Sequence, residues 1–309
     1  MVLKTVAVTG SSGMLGRHIV SRLEKDAFNV ITVARSKSSS NSLIWDLTNF
    51  ASNDELDSLF SKVDVVVHAG AAVPGKTNIY RNDELINVNV VAVVNIAKWC
   101  RKNNIPLVYI SGAIVYDDPN SKNNTESSKK GWNHLGEFYS LSKLLADDFL
   151  VREMKAGLKV SILRPSSIYG FGLKPDKLLT SFLSTISNNK PIILKPPVND
   201  CIDLIHAADI CSAISLVIQK EEWDIFNLSS GHCTSMMDLA NECISAYGFG
   251  NIEISSEVIS NRTISRFNLN NTKARDKLGW SPTVDLHEGI QSIPVSYTHL
   301  RAHETVLDL

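Results

Sequence analysis

Net charge is nearly absent: 31 Lys and Arg against 32 Asp and Glu leave −1, and the isoelectric point is about 6.7. A nucleic-acid binder or a polybasic membrane protein needs a basic excess or a basic run, and the chain has neither. Long apolar runs are missing too; none approaches the roughly 20 residues of a membrane span. Met1-Val2-Leu3-Lys4 enters a strand-like run without a signal-peptide pattern, so a cytoplasmic location is expected. The five cysteines (Cys100, Cys201, Cys211, Cys233, Cys243) form no Cys-x-x-Cys pair and no His/Cys ligand spacing. Most are expected to be small reduced core residues, and no metal site is expected. Neither nucleic acid nor a membrane is expected as a partner.

The chain does have ample apolar content. At 44% hydrophobic over 309 residues it can bury a large core as one large domain or two smaller ones. Val6–Thr9, Val30–Ala34, Val63–His68, Leu107–Ser111 and Val160–Arg164 read as strands, rich in Val and Ile and mostly without polar alternation. Helical patterns lie between them, at Met14–Lys25, near Asn53–Ser61, through Asn87–Lys102 and over Gly136–Met154. Continuous apolar strands separated by helices predict an α/β, doubly wound parallel sheet covered on both faces. Residues 117–130 are polar and aperiodic and read as a surface loop. After Arg164-Pro165 the rhythm becomes irregular, with Pro175, Pro191, Pro196 and Pro197. We therefore expect a nucleotide-binding domain over 1–165 with return segments near 200–230, and a smaller substrate-binding lobe over 166–294.

Two patterns carry chemistry. Thr9-Gly10-Ser11-Ser12-Gly13-Met14-Leu15-Gly16 follows the apolar run Val6-Ala7-Val8 and opens an amphipathic stretch, with Leu15, Ile19 and Leu23 on one helix face. Such a strand–turn–helix lets the backbone approach a pyrophosphate and points unpaired N–H groups at it, which suits a dinucleotide. The second pattern is Tyr139-Ser140-Leu141-Ser142-Lys143. A spacing of four puts phenol and ammonium on one helix face, where the cation can lower the tyrosine pKa and make it a proton donor and acceptor.

With these patterns the chain resembles the extended short-chain dehydrogenase/reductases, the NAD-dependent epimerase/dehydratase group that acts on nucleotide sugars, over about residues 4–294. Asp46-Leu47 matches the acidic segment beside the adenine, and His68-Ala69-Gly70-Ala71-Ala72 matches the turn along the cofactor. Asn89 matches a structural asparagine, and Leu163-Arg164-Pro165 the segment that passes the nicotinamide. The resemblance implies a Rossmann fold with a smaller C-terminal lobe. It also implies a cofactor site of Gly10, Ser12, Gly13, Met14, Leu15, Gly16, Arg35, Asp46, Leu47, His68, Ala69, Gly70, Asn89, Tyr139, Lys143 and Pro165. Tyr139 would exchange the substrate proton while Lys143 lowers its pKa and anchors the nicotinamide ribose. A homodimer through the Asn89 and Tyr139 helices is implied as well.

The chain also departs from the family. Alignment on Val115-Tyr116 puts Gly112 where the family carries a catalytic Ser or Thr. Ser111 is the candidate replacement, but adjacent strand residues point to opposite faces, so it serves only if the chain bulges. Sugar dehydratases place Asp-Glu next, whereas this chain has Ala113-Ile114, which disfavours dehydration. Ile202 stands where many members carry a diphosphate-binding arginine; Arg262 or Arg266 could hold the substrate phosphate instead, the alternative for either being a solvated surface charge. Strand two ends Thr32-Val33-Ala34-Arg35 with no acidic residue for a ribose 2′-hydroxyl. Arg35 therefore favours NADP, with NAD as the alternative. The expected activity is hydride transfer on a nucleotide-activated sugar, as a reductase or an epimerase. A protein of another class, an NADP-binding regulator or redox sensor without turnover, is the alternative that Gly112 and Ile202 raise. From about Val295 the chain resembles a translated sequencing adapter, so residues 295–309 are expected to be a non-native tail without function.

Overall fold

The computed structural model describes residues 3–37, 42–75, 80–118, 121, 123–132, 136–257 and 266–293. β1 (Thr5–Thr9) shows why its sequence lacks alternation: Val6 and Val8 enter one core cluster while Ala7 enters another on the opposite face. A strand buried on both sides has no polar face to display. β1 leads through the glycine turn to α1 (Met14–Lys25) and then to β2 (Asn29–Ala34) and β3 (Ser42–Ile44). α2 (Asn53–Phe60) starts at a capping box in which the Ser52 side chain accepts from Glu55 N while Glu55 accepts from Ser52 N. β4 (Val65–His68) and α3 (Asn82–Ile86) follow; a π-helical turn at Asn87–Val91 then joins α3 to α4 (Ala92–Asn103). β5 (Leu107–Ile110), α5 (Glu137–Lys155), β6 (Val160–Pro165) and β7 (Ser167–Tyr169) come next.

The remaining elements are α6 (Leu178–Ser187), β8 (Ile192–Leu194), β9 (Cys201–His206), α7 (Ala207–Lys220) and β10 (Ile225–Leu228). After them come β11 (Cys233–Ser235), α8 (Met236–Tyr247), β12 (Ile252–Ile254), β13 (Arg266–Phe267), α9 (Thr272–Leu278) and α10 (Leu286–Gln291).

The large sheet has the order β10-β6-β5-β4-β1-β2-β3, and its pairings are parallel. Strand order reverses between β1 and β4, which pair in register from Val6↔Val65 to Thr9↔His68. In doubly wound sheets the crevice outside the strand C-termini at this reversal is where ligands bind. α1 and α7 cover one face through Ile19, Leu23, Ile210 and Ile214; α4 and α5 cover the other through Val93, Ile96, Ala146 and Leu150. This is the doubly wound parallel sheet that the sequence predicts. Away from the large sheet, α6, α8 and α10 pack a separate core around Leu183, Leu239 and Ile290, beside a small sheet in which β9 pairs β11, β13 and β7.

Local differences from the sequence expectation have physical reasons. The helix expected over Asn87–Lys102 starts earlier, at Asn82, and passes through the π-helical turn. β3 escapes periodicity because it is three residues long. Cys100, Cys211 and Cys243 are free and buried, but Cys201 and Cys233 form a disulfide between β9 and β11, which no local spacing signals. Among the described residues no His, Cys, Asp or Glu group is placed to hold a metal, and no helix is long and apolar enough to cross a membrane. The candidate tail from 295 onward lies outside the described residues.

Candidate active site

The glycine turn is built from close approaches that side chains forbid. Gly10 has φ +70°, and a Cβ there would lie 2.5 Å from Gly70 Cα; a Cβ on Gly16 would lie 2.0 Å from Gly10 O. Gly70 in turn faces Leu47, whose Cδ1 would be 2.4 Å from an added Cβ. Three segments distant in sequence thus meet at the end of β1. Ser12 and Gly13 are exposed at the tip, Met14 and Leu15 are half-buried behind them, and the N-cap of α1, Gly13, has no side chain to cap it. Open N–H groups at a helix start, reached over glycines, form a cradle that fits a dinucleotide diphosphate.

β4 and β5 supply a buried polar wall. His68 Nδ1 pairs with Thr9 Oγ1 at 2.7 Å, and its ring stacks on Tyr109 with centroids 6.0 Å apart. Burial, helped by the Lys143 charge, pushes His68 down to about 3, so it stays neutral. Asn89, inside the π-helical turn, accepts from Ala72 N at 2.9 Å and donates to Ala72 O and Ser142 Oγ, both at 3.0 Å. It clamps the loop that begins at Ala69 to α5. A π-bulge is frequent at functional sites, and here it aims this amide.

α5 brings the expected pair to that wall. Tyr139 is half-buried and packs against the cluster of Ala72, Leu85 and Val88, as Leu47 does. Lys143 is buried; its Nζ donates to Ile110 O at 2.7 Å and lies 4.5 Å from the Tyr109 ring centroid. Burial pushes the Tyr139 phenol up to about 12 and the Lys143 ammonium down to about 7, the latter opposed by Asp147. The lowered tyrosine pKa inferred from spacing is therefore not the state of the chain alone: desolvation outweighs the cation one turn away.

Ser111 does not join this pair. Its hydroxyl donates to Asp147 Oδ2 at 2.6 Å, within a buried cluster where Arg164 and Lys130 also reach Asp147. Burial pushes the Asp147 carboxyl up, but hydrogen bonds and charge from Arg164 and Lys130 outweigh it and hold the group below the usual carboxylate range. Gly112 is extended at φ 170°, and a Cβ there would meet only Ile114 Cγ2 at 3.8 Å. Sequence reasoning missed Asp147; its signal is the further step of four from Tyr139 through Lys143.

The other expected residues are scattered around the crevice. Arg35 is exposed just beyond β2, and Asp46 accepts from Thr48 N at 3.0 Å in a local turn. Pro165 ends β6 beside Leu228. Arg266 starts β13, paired in register with Cys201, and only its backbone is described; Arg262 lies outside the described residues.

Comparison with known proteins is consistent with this geometry. Over 312 residues the chain is 26% identical to the dTDP-D-glucose 4,6-dehydratase of Mus musculus, covering 93% of this chain and 87% of the relative. Its fold is similar to that of the UDP-glucose 4-epimerase of Thermotoga maritima, solved with UDP-glucose: TM-score 0.81, 20% identity, covering 96% and 99% of the two chains. It is also similar to the dTDP-glucose 4,6-dehydratase of Bacillus anthracis, solved with NAD: TM-score 0.79, 21% identity, covering 97% and 98%. The model of the NAD dependent epimerase/dehydratase family matches residues 6–229, most of the chain, and the protein belongs to that family.

Proposed function

We propose that the protein exchanges hydride between a nicotinamide cofactor and a nucleotide-activated sugar, with Tyr139 moving the substrate proton. The observation that carries this reading is the placement of Tyr139 and Lys143, one turn apart on α5, against the wall that continues from the Gly10–Gly16 cradle. Gly10, Gly13 and Gly16 would hold the diphosphate, while Leu47, Ala69 and Gly70 would line its path. Hydride transfer at a carbinol or carbonyl carbon is the chemistry the nicotinamide supplies when bound. Tyr139, neutral at pH 7, is the proton donor to a developing alkoxide and the acceptor in reverse. Lys143 supplies a desolvated positive charge and a donor for a ribose hydroxyl.

Arg35 supports NADP as the cofactor, because an exposed guanidinium at the end of β2 can pair with a 2′-phosphate where a carboxylate would repel it. The NAD in the related dehydratase structure supports the alternative. Ala113-Ile114 disfavours dehydration and leaves a reductase or an epimerase. A panel of UDP- and dTDP-sugars incubated with NADPH or NADP, with absorbance and product mass followed, tests the proposal. Net cofactor turnover identifies a reductase, and an isomeric product at constant cofactor identifies an epimerase.

A second reading, a redox-sensing NADP binder without turnover, is favoured by Gly112 and by the Cys201–Cys233 disulfide. Retention of a buried Lys143 behind Tyr139 argues for the enzyme, since burying an ammonium is costly without a use. A homodimer through α4 and α5 and a cytoplasmic location complete the proposal; in a reducing cytoplasm Cys201 and Cys233 would be held as thiols.

A further inference from the structure

Tyr139, Lys143 and Asp147 follow one another at steps of four and so share one face of α5. Asp147 is fully buried and accepts four hydrogen bonds from three other parts of the chain. Ser111 Oγ reaches Oδ2 at 2.6 Å, Arg164 contributes Nε to Oδ2 at 3.0 Å and NH2 to Oδ1 at 2.7 Å, and Lys130 Nζ reaches Oδ1 at 2.8 Å. Arg164 continues to Tyr116 Oη and Glu126 O, both at 3.1 Å, and Tyr116 donates to Asn227 at 2.6 Å. The residue before Ser111 is Ile110, whose carbonyl receives the Lys143 ammonium. Well-packed apolar residues often replace a buried ion cluster at no loss of stability. The expense of this one points to the neighbouring pair.

We propose that Asp147 is a positioning residue for Tyr139 and Lys143: by locking α5 to the ends of β5 and β6 it fixes the Ile110 carbonyl under Lys143 and sets the charge balance around it. This rests on reading Tyr139 and Lys143 as the proton-exchange pair. Several titratable groups face Lys143. α5 contributes Tyr139 and Asp147, β5 the Tyr109 ring and β4 the neutral His68. Arg164 of β6 and Lys130 of the segment before α5 are turned onto Asp147, and Lys130 also pairs with Asp148 on its outer side. Asp147 thus carries the charge that opposes desolvation of Lys143, and Lys130 partly neutralises it.

The two neighbours therefore have opposite effects on Lys143. The test is an NMR titration of the Lys143 Cε resonance in protein labelled with ¹³C-lysine, assigned with Lys143→Met; it requires neither substrate nor cofactor. Asp147→Asn is expected to lower the Lys143 midpoint by about one pH unit, and Lys130→Met to raise it. Shifts of these signs show that Asp147 sets the charge balance around Lys143, while the positioning is read separately by Ser111→Ala. Should Asp147→Asn fail to fold, Lys130→Met still decides, and an unchanged or lowered midpoint overturns the proposal. Ser111→Ala, which removes the tie to β5 and no charge, is expected to reduce kcat about tenfold at unchanged cofactor affinity. An unchanged kcat would contradict the lock. If Tyr139→Phe retains full turnover, the parent reading fails on its own while the titration stays readable.

Discussion

Lys143 Nζ sits 4.5 Å from the centroid of the buried Tyr109 ring, a cation held over an aromatic face and donating to Ile110 O at 2.7 Å. Burial lowers its pKa to about 7, against the pull of Asp147. In the unfolded chain a lysine titrates near 10.4, so above about pH 7 the unfolded state binds the extra proton and stability rises with pH. Lys143→Met abolishes that rise. Wild type is expected to gain on the variant by roughly 1 kcal/mol per pH unit between about pH 8 and 9.5, followed by denaturant unfolding. Parallel stability curves would contradict the buried, titrating ammonium.

Cofactor choice follows from Arg35. NADPH is expected to bind more tightly than NADH, with Arg35→Ala removing most of the difference, since a well-formed charge-assisted pair contributes about 1.5–3 kcal/mol. Titration of both cofactors against both proteins measures it. Equal affinities in the wild type would count against NADP and leave NAD.

The glycines separate two kinds of position. Gly16→Ala puts a Cβ 2.0 Å from Gly10 O and is expected to cost several kcal/mol, or the fold, together with cofactor affinity. Gly112→Ser meets only Ile114 Cγ2 at 3.8 Å. It is expected to leave the melting temperature within about 2 °C of wild type and to preserve or raise turnover, because it restores a hydroxyl to an open place. A damaged fold in Gly112→Ser would contradict the space assigned there.

Cys201 and Cys233 are 32 residues apart and joined, while the other three cysteines are buried and free. After air oxidation of the folded protein, alkylation of the unfolded chain without reductant is therefore expected to modify three thiols, and five after reduction. Cys201→Ser is expected to lower stability by about 3 kcal/mol under oxidising conditions, from the loop it opens. Five reactive thiols before reduction would show that the bond does not form.

The parts legible in the sequence are those that local physics dictates. β1, its turn and α1 lie within one stretch, where glycine spacing and a 3.6-residue apolar period speak directly. Tyr139 and Lys143 were legible for the same reason, being neighbours on one helix. Asp147 was not, because its partners Ser111, Lys130 and Arg164 come from three other segments. The disulfide has the same cause: Cys201 and Cys233 meet only through the pairing of β9 and β11. Ser111 was ambiguous in sequence because strand direction, not composition, decides which way a hydroxyl turns, and the β5 end turns it to Asp147.

The measurement closest to the central claim is the turnover of Tyr139→Phe on whichever nucleotide sugar the wild type converts, with cofactor affinity measured alongside. Loss of the phenolic proton is expected to reduce kcat by roughly 10² or more while cofactor binding stays nearly intact. Full turnover in Tyr139→Phe would contradict the assignment of proton exchange to Tyr139.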